Sequence, residues 1–120
     1  MQRKTEKIEL PESKVSIDIN LWITGREKEY AEEPIYGAMQ MTGQMMNGAE
    51  MDIKGIDAKQ AVQESAHRDI EVYVTCVYDE EKQIKDQKEI LEFILNQIPD
   101  EDYTFIGRKI AEIKNSSKKK

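Results

Sequence analysis

The chain has little of what most enzymes and secreted domains rely on. Its 120 residues include one cysteine, one histidine, one tryptophan and three prolines. A single cysteine, Cys76, cannot close a disulfide within the chain, and no cluster of Cys or His around it gives a zinc-ligand spacing. That usage fits a reducing cytoplasm. No stretch approaches the roughly 18 apolar residues of a membrane span. The N-terminal MQRKTEKIEL carries basic residues with no apolar segment behind them, so neither a span nor a signal peptide is expected. Bases are also in deficit, 18 Lys and Arg against 24 Asp and Glu, for a formal net charge of -6. That deficit argues against a duplex-binding protein, which needs a concentrated Lys/Arg face.

Catalytic signatures are missing as well. There is no GxxxxGK[ST], GxSxG or HExxH, and the glycines at 37, 43, 48, 55 and 107 never form a phosphate-cradling loop. His67, between Glu64 and Asp69 on a polar stretch, has no metal spacing and reads as a surface histidine. Arg26, Arg68 and Arg108 would clamp an anion only if the fold gathered them. The carboxylates are too many for their number to inform. No catalytic, cofactor-binding or metal-binding residue is therefore assigned, and an enzyme is not expected.

What is present is patterned. Residues 15–23, VSIDINLWI, alternate, with Val15, Ile17, Ile19, Leu21 and Ile23 on one face, the period of a half-buried strand. KIEL at 7–10 is a second strand candidate, and PESK between them reads as a turn, so an N-terminal hairpin over 7–23 is expected. Trp22 falls on the opposite face, where it either covers a second helix or stands exposed as a partner's anchor. Thr24 followed by Glu27 is a capping-box spacing, so Ile23, Thr24 and Glu27 mark a hairpin-to-helix junction. The helix beginning there should be short, because Pro34 lacks an N–H and disfavours helical geometry at Glu33. A second piece would then run from Ile35 to about Met46.

Five of the six methionines lie between Met39 and Met51. Flexible thioethers suit an irregular core first, and also surfaces that repack against partners, which makes Met39, Met45 and Met46 candidates beside Trp22. Ala58, Val62, Ala66, Ile70, Tyr73, Val74 and Val77 recur at helical spacing and favour a helix over 58–78. EVYVTCVY also alternates and is rich in strand formers, so a strand over 70–78 is the alternative. Asp86 to Ile98 reads as an amphipathic helix with a polar lead-in, EEKQIKDQK. After Pro99, the acids at 100–102 suit a helix start, followed by Tyr103, Ile106, Ile110 and Ile113 at helical spacing. The fold class expected is α+β and mostly helical: one domain over 1–113, with the hairpin at 7–23 and the helical part at 24–113. KNSSKKK at 114–120 reads as a loose basic tail.

These pieces, in order, resemble the small tail assembly chaperones of long-tailed bacteriophages and prophages, encoded just before the tape measure protein. The resemblance is carried by WITGRE at 22–27, EPIY at 33–36, ESAHRDIEVYV at 64–74, PDEDYTFI at 99–106 and KIAEI at 109–113. It implies a mainly helical fold with a small hairpin and no catalysis, working in the host bacterial cytoplasm. It also implies the partners. The chaperone would hold the long, helical tape measure protein soluble while tail tube subunits assemble, and a homo-oligomer is compatible, since several copies can line up on one client. By analogy with the family, a longer frameshifted form would recruit the tube protein; Lys118 to Lys120 fits an A-rich slippery site and equally an ordinary basic tail. The rival expectation is a small phage or prophage ligand-binding protein that sequesters a nucleotide signal at a subunit interface.

Overall fold

Both alternating runs, at 16–20 and at 74–79, become strands of one sheet. The computed structural model describes residues 3–45 and 52–118, with side chains for 3–38 and 58–116. The order is β1 (Thr5–Glu9), β2 (Ser16–Asn20), α1 (Gly25–Met45), α2 (Asp52–Tyr73), β3 (Val74–Asp79), β4 (Lys82–Ile84), α3 (Gln87–Gln97) and α4 (Asp100–Lys118). The chain is α+β and mostly helical, with an N-terminal hairpin. That hairpin is half of a four-stranded antiparallel sheet of order β1-β2-β3-β4. Two compact units result, Met1–Ile23 with Ile70–Lys120, and Thr24–Asp69.

The sheet belongs to the first unit. Its register sets Ile8, Ile17, Val77 and Ile84 side by side across all four strands, so one face is apolar. Ile17, Ile19, Val74 and Val77 are buried there, together with Ile90 and Ile94 of α3 and Ile106, Ile110 and Ile113 of α4. Each such side chain contributes about 1.5–3 kcal/mol over leaving it exposed. α3 begins at an Asp86 cap, whose carboxylate accepts from the Glu89 N–H at 3.1 Å.

α4 is tied to the hairpin by charge. Asp102, fully buried in its first turn, accepts from the backbone N–H groups of Glu12 at 2.9 Å and Ser13 at 2.8 Å. One carboxylate thereby holds the β1–β2 turn. Lys14 closes that turn in the left-handed region, with φ of 64°. Further along, Lys109 pairs with Glu6 at 3.0 Å.

Several expectations are corrected. The helix over 58–78 stops at Tyr73, and the rest is β3, because Val74, Cys76 and Val77 find a ladder on β2 that a helix could not supply. A bulge between Asp18 and Ile19 leaves Thr75 as the extra residue. The lead-in to α3 contains β4, joined to β3 through Glu80 with φ of 56°. β2 ends at Asn20, whose buried amide donates to the Val72 carbonyl at 2.9 Å, so Leu21 to Ile23 lie beyond the strand. The helix past Ile113 runs on to Lys118, where no Pro or Gly stops it and a terminal lysine suits the dipole.

Candidate functional site

The second unit is a pair of long helices, and its start is local chemistry. The Thr24 N–H donates to Glu27 Oε1 at 2.9 Å, and the Glu27 N–H donates to Thr24 Oγ1 at 3.1 Å. This reciprocal capping box opens α1 at Gly25.

α1 does not end at Pro34. It continues to Met45, and a side chain from α2 explains how. Proline removes the N–H that would reach the carbonyl four residues back, that of Tyr30. Arg68 Nη1 donates to this same Tyr30 oxygen at 2.9 Å. The Arg68 guanidinium also lies over the Tyr30 ring, 4.6 Å from its centroid, and pairs with Glu33 at 3.3 Å and Glu64 at 3.7 Å. Three residues earlier on α2, the Ser65 hydroxyl donates to the Ala31 carbonyl at 2.6 Å.

Such close approach needs small side chains, and the buried residues described in this unit are Ala31, Ala61 and Ser65. Among the described large apolar and aromatic side chains of the pair, Ile35 is half-buried and three stand exposed. Tyr30 is 41 % exposed, Tyr36 56 % and Val62 61 %. The stripe expected through Ala58 and Val62 is therefore corrected: both are exposed, and the packed row lies one residue earlier, through Ala61. Hydrophobicity alone points to Val62; the size of Ala61 and Ser65 decides the contact.

Trp22 is exposed at 37 %, with the Arg3 guanidinium 5.0 Å from its ring centroid. Ile23 is half-buried. Met46 and the side chains of Met39 and Met45 lie outside the described residues. His67 is half-buried on α2, Cys76 is buried on β3 with a free thiol, and Arg26 is exposed in the first turn of α1. Arg108 borders a shallow depression with Pro11, Thr104, Phe105, Asp100 and Glu101. Those two acids make it a poor anion seat.

A wider groove of about 400 Å³ runs between β4 and α3, floored by Ile84 and Phe93 and rimmed by Lys88, Glu89 and Glu92. Among the described residues no three His, Cys, Asp or Glu side chains are grouped to hold a metal ion, and no helix is long and apolar enough to cross a membrane. Comparison of the chain with protein-family models, with curated proteins and with solved structures gives no match.

Proposed function

We propose that the chain is a non-enzymatic tail assembly chaperone, whose helix pair binds the helical tape measure protein while tail tube subunits are recruited. The observation that supports a binding role is the inversion of side-chain size among the described residues of the helix pair: Ala31, Ala61 and Ser65 are inside, Tyr30, Tyr36 and Val62 outside. Large apolar and aromatic residues exposed on helices are what a client helix needs in order to cover its own apolar stripe. The identity of that client rests on the resemblance of residues 22–27, 33–36, 64–74, 99–106 and 109–113 to the phage chaperones.

The test is to tag the chain in a host producing tails and identify by mass spectrometry what copurifies. The expected result is a very long, helix-rich protein together with a tube protein, both lost from a Tyr36→Asp/Val62→Asp double variant that keeps its helical circular dichroism. Recovery of the chain alone, with a bound small molecule that absorbs as a nucleotide base does, would replace this reading by the ligand-binding one.

A further inference from the structure

The sheet has two edges, and they differ. β4 is three residues long, whereas β1 has five. Among the described residues β1 pairs only with β2. The Leu10 N–H donates to the Val15 carbonyl and the Leu21 N–H to the Lys4 carbonyl. Residues 4, 6, 8 and 10 therefore turn their backbone groups toward β2, and Thr5, Lys7 and Glu9 turn theirs outward. The side chains of Thr5, Lys7 and Glu9 are exposed. Ile8, although it stands in the apolar row with Ile17, is only half-buried. A strand edge with unpaired N–H and C=O groups is a template for another strand.

The geometry points to a second copy of this chain as the occupant, in an antiparallel β1–β1 pair whose two-fold axis passes between the two Ile8 residues. Charge selects this register from those the outward groups allow. A two-fold at Lys7 sets lysine against lysine, and one at Glu6 sets glutamate against glutamate where each already has its own Lys109, so the first is repulsive and the second gains no ion pair across the axis. At Ile8 an apolar residue meets its own copy, and Lys7 of each chain faces Glu9 of the other, exchanging both backbone hydrogen bonds. The contact is isologous and closes on itself. A lone edge lysine ordinarily discourages strand pairing; Glu9, two residues on, reverses that effect in this register. The pair extends the sheet and covers the exposed part of Ile8. It goes beyond the client-binding role and stands whether or not that role holds.

Sedimentation equilibrium of the full chain over a concentration series tests the assignment. The native chain should form a dimer. Lys7→Glu and Glu9→Lys, each alone, should raise the dimer dissociation constant by about tenfold or more, and the two together should restore it, with circular dichroism showing each chain folded. Should a charge-reversed chain lose its fold, Glu9→Pro serves in its place. It removes an outward N–H and no ladder bond, and it should also yield monomer. A native chain monomeric at every concentration overturns the assignment. So does a dimer indifferent to the single changes, or one that the double change fails to restore; these place the contact elsewhere or leave the edge to a strand of a different protein.

Discussion

The guanidinium of Arg68 donates, at 2.9 Å, to the Tyr30 carbonyl that Pro34 leaves without its helical N–H. A proline inside a helix costs about 3 kcal/mol, partly through that lost bond, and α2 supplies the substitute donor. Arg68→Met should destabilise the chain by about 1–2 kcal/mol. In a Pro34→Ala background, where residue 34 again donates to Tyr30, the same change should cost at least about 0.5 kcal/mol less. Urea denaturation of the four chains measures the coupling, and equal costs in both backgrounds would refute it.

Asp102 should set the acid limit of the sheet unit. Burial alone would raise its carboxyl, but the Ser13 hydroxyl, the N–H groups of Glu12 and Ser13, and the Lys14 ammonium outweigh burial and bring it below its ordinary 3.8. A group lowered in the folded state stabilises fully above its unfolded value, and that contribution is lost as pH falls through the folded one. Glu101 has the opposite sign. The hydrogen bond and charge of Glu12 raise it above its ordinary 4.5, so its contribution is present below that value and lost as pH rises. Asp102→Asn should cost about 2–3 kcal/mol near neutrality and flatten the acid limb of stability. Denaturation midpoints between roughly pH 2 and 6 check both effects.

Tyr78 should ionise late. Its hydroxyl donates to Asp18 Oδ2 at 2.6 Å. That bond, then burial, then the charge of Asp18 hold the phenol well above its ordinary 10.0. The Lys7 ammonium sits 4.1 Å from the ring centroid. With the folded value raised, the stabilisation is complete below the ordinary value and disappears as pH rises through the folded one. Tyr103, raised by burial and by Asp100, is also late. An ultraviolet titration of Asp18→Asn should show one fewer late-titrating tyrosine than the native chain; an unchanged titration would break the link.

Ile94 and Leu95 are neighbours on α3 with opposite exposure, 1 % and 39 %. Ile94→Asp places an unpaired charge in the core and should leave the chain unfolded, a loss of more than about 4 kcal/mol. Leu95→Asp should change stability by less than about 1 kcal/mol. Circular dichroism with thermal melts distinguishes them. A folded Ile94→Asp chain would mean that this face of α3 is not core.

The features legible in the sequence were the local ones. The Thr24–Glu27 box spans four residues, and β2 shows its period of two, so both can be read without knowing the fold. β3 was ambiguous because Ile70, Val74 and Val77 satisfy the helical period while Val72, Val74 and Cys76 satisfy the strand period; the ladder with β2 decided between them. β4 is too short and polar to show a pattern. The persistence of α1 through Pro34 depends on Arg68, and the β1–β2 turn on Asp102. Neither partner is near in sequence. In the helix pair, sequence patterning turned Val62 inward, since it registers hydrophobicity before size; Trp22, the other residue it singled out, belongs to the sheet unit.

The turn between β1 and β2 is translated well before the carboxylate that holds it, since Asp102 follows Ser13 by 89 residues. Between them β2 must wait for β3, with the helix pair lying between the two strands in the chain. An isolated hairpin is marginal in water, whereas two adjacent helices joined by local contacts assemble fast. The contacts within the helix pair are therefore local and those of the sheet long-range, and the acceptor for the β1–β2 turn comes only with α4. A chain halted before α4 leaves the amides of Glu12 and Ser13 without the Asp102 carboxylate. Part of the hairpin's own stability is thus withheld until α4 is in place.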